Sequence, residues 1–316
     1  MMAGHPRESA AAILLLTLLA ALAFAAPAFY SAGNLRDLLL SNAPVLICAI
    51  GSTLVILTGE VDISIGSQLA VLSIVAGALA KTGLPPAAVV IVLILAGGAL
   101  GAVNGILVAG CGIPSIVVTL ATMMAWRETL RWSTEGAWVQ NLPDGFQWFG
   151  LGQSGGQAVI LVVTAVVFAA FAWSLRNLAA GRAVYAAGSE REAARLAGLD
   201  PRRVVFWVFT VAGMLVGIGA LVATVRFHDV PANAGIGLEL KCITAVVIGG
   251  TAISGGRGTL AGTLAGVALL GVIATALIFA GVSPYWEKAA QGVIILGAVA
   301  SDYVAGRGRG TRRAAA

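Results

Sequence analysis

The most constraining feature of this chain is a recurrence: apolar runs of 13 to 24 residues, parted by short polar breaks, from one end to the other. They lie at about 10–28, 42–58, 66–80, 86–109, 113–126, 157–175, 204–225, 242–254, 259–281 and 286–304. A hydrocarbon core ~30 Å thick takes about 20 apolar helical residues to cross. Helices satisfy their own backbone groups there, which irregular chain facing lipid cannot do. The expected fold is therefore all-α, a polytopic membrane helix bundle of about ten transmembrane helices. Charge agrees: only 10% of the 316 residues are charged, where a globular domain carries about a quarter. That composition excludes a soluble enzyme. The runs at 66–80, 113–126 and 242–254 are short for a full span, and read as tilted, re-entrant or extended by weakly polar neighbours.

No connection much exceeds 30 residues, which predicts one transmembrane domain over 1–305 and a basic tail over 306–316. The first run follows a polar head containing Arg7. It reads as a retained span, or as a cleaved signal peptide with small residues around Ala23–Ala26; the retained span is the expectation. Residues 127–156 mix Arg, Glu, Asn, Pro and Gly with Trp132, Trp138 and Trp148, just after Trp126. Indole rings favour the membrane–water boundary, so this stretch reads as an interfacial loop.

The net charge of +5 bears on topology rather than on nucleic acid, because cytoplasmic loops collect basic residues. The most charged stretch is 176–203, with Arg176, Arg182, Arg191, Arg195, Arg202 and Arg203 against Glu190, Glu192 and Asp200. Arg307, Arg309, Arg312 and Arg313 follow in the tail. With six spans before that stretch and four after it, both termini are cytoplasmic. The inside then holds twelve basic and seven acidic residues, and the outside seven of each. Cys48, Cys111 and Cys242 lack CxxC or Cys/His spacing and read as small buried hydrophobes. With His5 and His228 as the only histidines, no metal site is expected.

Three glycine ladders stand in the spans: Gly97, Gly101 and Gly105; Gly213 and Gly217; Gly258, Gly262 and Gly266. Such spacing lets helix backbones approach closely in lipid.

Within the charged stretch, GSEREAARLAGLDP (188–201) carries its own start and stop signals. Ser189 reads as an N-cap with Glu192 completing a capping box. Ala193, Ala194, Leu196 and Ala197 form a small apolar face; Gly198 suits the C′ position and Pro201 blocks continuation. A helix of about two turns is marginal alone in water and needs something to pack on. The plainer alternative is a charged loop that only sets topology.

Polar residues also occur between or within apolar runs. Glu60, Asp62, Ser64 and Ser67 read either as a break lining a translocation path or as a cytoplasmic turn whose Asp62 caps the next helix. Asn104, Thr119 and Thr122 either line a polar path or bridge helices. Glu239 and Lys241 pair with each other or with the external loop, and Arg257 reads as a cytoplasmic turn residue. Its GGRG setting lacks the GxxxxGK[ST] pattern of a phosphate-binding loop, so any ATP is bound by another chain.

Gly181 followed by YAAGSEREAARLAGLDPRRV (185–204) resembles the coupling loop of sugar ABC-importer permeases of the ribose/xylose/arabinose type. GEVDISIGS (59–67), NGILVAGCGIPSIVVTLATM (104–123) and AVVIGGTAISGGRGTLAGTLAG (245–266) resemble further segments of that family, in its order. Glu60 departs from it, standing where the family usually has a second glycine. The resemblance implies a bacterial inner-membrane, multi-pass permease that is not itself an enzyme. It would work with a separate ATPase holding ATP and Mg, a second permease copy or paralogue, and an extracytoplasmic sugar-binding protein. The coupling residues would be Tyr185, Gly188, Ser189, Glu190, Glu192, Ala193, Ala194, Leu196 and Gly198. From the residues themselves, Asp62, Ser64, Ser67, Asn104 and Thr119 are the candidates for a substrate pathway, and Gly101, Gly105, Gly258, Gly262 and Gly266 for helix packing. The solute would be a monosaccharide or sugar-like molecule: a pentose, a rhamnose-type deoxyhexose or autoinducer-2. The alternatives are an ion-coupled secondary transporter and a branched-chain amino-acid-type ABC permease. No nucleophile–base constellation supports an intramembrane enzyme.

Overall fold

A computed structural model describes residues 6–283 and, beyond them, 286, 288, 289, 291–293 and 296. Most of the expected span at 286–304, and the whole tail at 306–316, lie outside the described residues. The helices are α1 (Pro6–Ala25), α2 (Ala32–Leu57), α3 (Ile65–Lys81), α4 (Pro86–Gly105, continued by a π-turn over Ile106–Gly110), α5 (Ser115–Thr134) and α6 (Gly152–Asn177). After them come α7 (Ala179–Ser189), α8 (Arg191–Leu196), α9 (Pro201–Thr224), α10 (Leu238–Ile248) and α11 (Leu260–Phe279). The described chain is an all-helical membrane bundle, and α2, α4 with its π-turn, α6, α9 and α11 are long and apolar enough to cross a bilayer.

The centre is held by α2 and α9, whose apolar windows are 78% and 67% buried, whereas that of α6 is 17% buried and faces outward. Two of the glycine ladders pack on each other. A Cβ at Gly101 would overlap the Phe209 carbonyl oxygen, and one at Gly97 the Gly213 carbonyl; at Gly213 the clash is returned by Gly97. α4 and α9 thus run backbone against backbone, the close approach small residues permit in lipid. In the third ladder, Gly266 abuts the Ala245 carbonyl and Gly262 faces Gly249, joining α11 to α10. Gly258 is a correction: it precedes the N-cap Thr259, outside the helix, with φ +149° and Thr251 against it. It is a loop residue, not a packing glycine.

α1 packs on α11, where Leu22, Phe29 and Val272 form a separate buried cluster. The Phe29 and Phe279 rings lie 6.1 Å apart, edge to face. α2 starts ten residues before the run that announced it, because Asn34, Arg36, Asp37 and Asn42 sit in its early turns. It also contains Pro44, which cannot donate to the Leu40 carbonyl four residues back. Arg226, just after α9, donates Nη1 to that carbonyl at 2.8 Å.

Two expectations change. Residues 127–134, read as loop, extend α5, because Arg127 and Leu130 continue its buried face. The run at 242–254 becomes α10, eleven residues long, only about 16 Å at 1.5 Å per residue and half a bilayer. Irregular backbone flanks it on both sides. Such chain is tolerated at depth where protein covers it: Gly235 presses against Gly66 of α3. Beyond α5, the loop is tied to the segment after α9 by a single bridge between Val139 and Val230 and by the Trp148 amide donating to Val225 at 2.8 Å. Trp132 and Trp138 stay exposed, as interfacial indoles do. Cys48 and Cys242 are buried, but Cys111 is exposed, because it sits in the turn between α4 and α5.

Candidate functional site

All four motif segments converge at one end of the bundle. α7 closes on Gly188 and Ser189, which lie against the end of α2 and the irregular 249–259 loop. Tyr185 donates its hydroxyl to the Gly258 carbonyl at 2.8 Å, and the Gly256 amide donates to the Leu57 carbonyl at 2.8 Å. A Cβ at Gly188 would overlap the Leu57 carbonyl oxygen and crowd the Gly256 amide, so position 188 admits only glycine without the seam opening. Gly255, at φ +84°, is wedged between Gly59 and Gly188.

Here the expected capping box gives way. Ser189 ends α7 instead of starting α8, and its hydroxyl donates back to the Tyr185 carbonyl at 2.8 Å. Glu190, in extended backbone (φ −157°, ψ 98°), is the N-cap of α8 and makes no side-chain cap bond. Seating Gly188 against α2 and Tyr185 against the 249–259 loop continues α7 as far as Ser189, so the hydroxyl turns back along its own helix and Glu192 has no cap to complete. The stop signals hold: Gly198 is left-handed at φ +81°, and Asp200 and Pro201 cap and open α9.

α8 is therefore one short helix between two bends. Ala194 is its only buried side chain; Ala193, Glu192 and Arg195 are exposed, and Leu196 is 85% exposed. Beneath it lies a cleft of about 540 Å³, lined by Glu60, Pro114, Arg191, Glu192 and Arg202 among others.

The elbow between α2 and α3 borders this cleft. Glu60, almost wholly buried, forms an ion pair with Arg191, the first residue of α8. Arg191 also reaches the Thr58 carbonyl at 3.5 Å. Next along, the Val61 amide donates to Ser115 Oγ at 3.1 Å, and Thr119 donates to the Val61 carbonyl at 3.3 Å, both from α5. Asp62 Oδ1 accepts from the Ser64 amide at 2.8 Å, and its Oδ2 from Gln68 at 3.2 Å. Asn104 of α4 donates to Ser64 Oγ and accepts from Thr122 of α5, each at 2.9 Å. Ser67 donates to the Ser64 carbonyl at 2.7 Å.

Asp62, Ser64, Ser67, Asn104 and Thr119 are all buried; the first four are linked through Ser64, and Thr119 bonds to the Val61 and Ser115 carbonyls. Their geometry is that of a polar hub bridging α3, α4 and α5. Gln68 Oε1 is buried there with no partner among the described residues.

Deeper in the bundle, Arg127 is 8% exposed and donates to the Ala234 carbonyl at 2.8 Å. Glu239 Oε1 accepts from the Gly237 amide at 3.2 Å. Reading the sequence alone assigns Arg127 to a loop and passes over Gln68 and the pairing of Arg191. The helical spacing of Thr119, Thr122, Arg127 and Leu130 is a signal that could have found the first. The Glu60–Arg191 pair spans 131 residues, and no local signal announces it.

Residues 34–299 match a protein-family model described as branched-chain amino acid transport system / permease component. The chain belongs to this permease family. Among the permease's relatives, the ribose import permease protein RbsC of Escherichia coli (strain K12) is 33% identical, over 93% of each chain. RbsC of Bacillus subtilis (strain 168) is 34% identical over 87% of the permease and 86% of its own length. The autoinducer 2 import system permease protein LsrC of Enterobacter sp. (strain 638) is 33% identical over 94% and 86%. No solved structure matches the permease. These likenesses run through the whole bundle and include every segment of the hub and seam. The permease is a transport component and not an enzyme, and a multi-pass protein of the bacterial inner membrane.

Proposed function

We propose that this permease is the membrane-spanning subunit of an ATP-driven, binding-protein-dependent importer for a monosaccharide or sugar-like solute. A pentose, a rhamnose-type deoxyhexose and autoinducer-2 are the candidate classes. The observation that carries the reading is α8: a short helix with an exposed leucine, bent away at both ends and set on glycine-tight backbone. A helix of six residues is not stable alone, and an 85%-exposed Leu196 has apolar surface to bury. A groove on a cytoplasmic ATPase would cover it.

On this reading ATP and Mg belong to the ATPase chain, and Tyr185, Gly188, Ser189, Glu190, Glu192, Ala193, Ala194, Leu196 and Gly198 form or position the coupling surface. A second permease copy or paralogue completes the path, and an extracytoplasmic binding protein delivers the solute. Ten spans with cytoplasmic termini and one domain over 1–305 fit the placement of the basic residues. Each state change in alternating access is driven by differential binding, ATP on the inner side and loaded binding protein on the outer. The buried hub makes α3, α4 and α5 one unit that moves together. Asp62, Ser64, Ser67, Asn104 and Thr119 then act along the pathway by holding these helices.

The test is accumulation in proteoliposomes containing the permease with its co-purified ATPase and binding protein. ATP-dependent uptake of labelled D-ribose or autoinducer-2, with none of leucine, is expected. Uptake of leucine alone would move the assignment to branched-chain amino acids.

A further inference from the structure

We infer that Glu60 is a positioning residue that ties the coupling helix to the polar hub, so that displacement of α8 is transmitted to α3, α4 and α5. The inference rests on the reading of α8 as the ATPase-docking helix. Three consecutive residues of the α2–α3 elbow reach three different elements. Glu60 pairs with Arg191 at the start of α8. Val61 is held through both its backbone groups by Ser115 and Thr119 of α5. Asp62 opens the bonded series Ser64, Gln68, Asn104, Thr122 across α3, α4 and α5.

The rest of α8 is loosely anchored. It overhangs the 540 Å³ cleft, buries only Ala194 and is flanked by extended Glu190 and left-handed Gly198. The Glu60–Arg191 pair is thus the charged tether across the cleft. Arg191 is 57% exposed and the Glu60 side chain 11% exposed. A pair open to water on one side contributes little net stability, so its consequence is geometric. Because Glu60 is the buried partner, removing Arg191 strands its charge, and Arg191→Gln is the harsher single change.

The exposed Cys111, in the turn that joins α4 to α5, is a native reporter of the hub. The permease–ATPase complex is placed in lipid nanodiscs, and maleimide labelling of Cys111 is timed with and without ATP–vanadate trapping. In the unmodified complex, trapping changes the labelling rate. In Glu60→Gln and Arg191→Gln that change falls by about tenfold, within the range of typical coupling factors, while the ATPase still co-purifies and hydrolyses ATP. The charge swap Glu60→Arg/Arg191→Glu restores it, which a loss of folding alone would not do.

A full response in both single variants overturns the inference. So does an unmodified complex whose Cys111 ignores trapping, or a swap that behaves like the singles. If no ATPase co-purifies with the unmodified permease, the coupling reading itself fails, an outcome distinct from these.

Discussion

A single guanidinium shows how this chain tolerates a proline at the centre of a buried helix. Pro44 frees the Leu40 carbonyl, and Arg226 takes it at 2.8 Å. Arg226→Leu leaves a buried acceptor unpaired, at about 1–3 kcal/mol, and lowers the thermal unfolding midpoint in detergent. Restoring the helical donor in Pro44→Ala/Arg226→Leu recovers most of that loss. If the double variant is no more stable than the single, the carbonyl is not what Arg226 supports. Asn104 is a second such residue, bonded on both sides inside the hub. Asn104→Ala leaves the Thr122 hydroxyl only the longer bond to the Thr119 carbonyl at 3.4 Å and removes a donor to Ser64, for a loss of about 1 kcal/mol in the same assay.

Elements are held by what small residues allow. Gly101→Ala drives a Cβ into the Phe209 carbonyl and separates α4 from α9, a misfit of about 1–3 kcal/mol or more. Gly110→Ala, whose Cβ meets only the Ile106 side chain at 3.8 Å, is the matched control and is expected to be near neutral. Because alanine is the better helix former, propensity alone would stabilise both variants; equal loss in the two would show that close packing against α9 does not set the effect. Glycine spacing indicated close helix packing, because a four-residue step places each glycine on one helix face, but not that α4 and α9 are the partners. The same spacing misled at Gly258, where a left-handed turn needs glycine for backbone reasons. Likewise the start and stop residues around 188–201 marked a short helix, yet its N-cap lies one residue later. Local hydrogen-bonding chemistry favours Ser189 as a cap; the contacts of Gly188 with α2 and of Tyr185 with the 249–259 loop override it. The Glu60–Arg191 pair and the half-length of α10 depend on contacts between distant segments, which no sequence window contains.

At the scale of the whole molecule, the bundle presents one basic end carrying α8, the elbow and the 249–259 loop, and an opposite end carrying the Trp132 and Trp138 indoles. On the proposed topology, the basic excess puts the α8 end in the cytoplasm. Native Cys111, exposed near that end, is then shielded from impermeant thiol reagents in intact cells and labelled once the membrane is opened. Ready labelling from outside would invert the topology. The central claim, that α8 is gripped by an ATPase, is tested most directly by mild-detergent capture of the tagged permease from its native membrane, with the accompanying chains identified by mass. A chain bearing a phosphate-binding loop is predicted to accompany the unmodified permease and to be lost with Leu196→Ser, whose thermal midpoint stays nearly unchanged because Leu196 is 85% exposed among the described residues. Capture without any such chain, or its full retention in Leu196→Ser, would contradict the account.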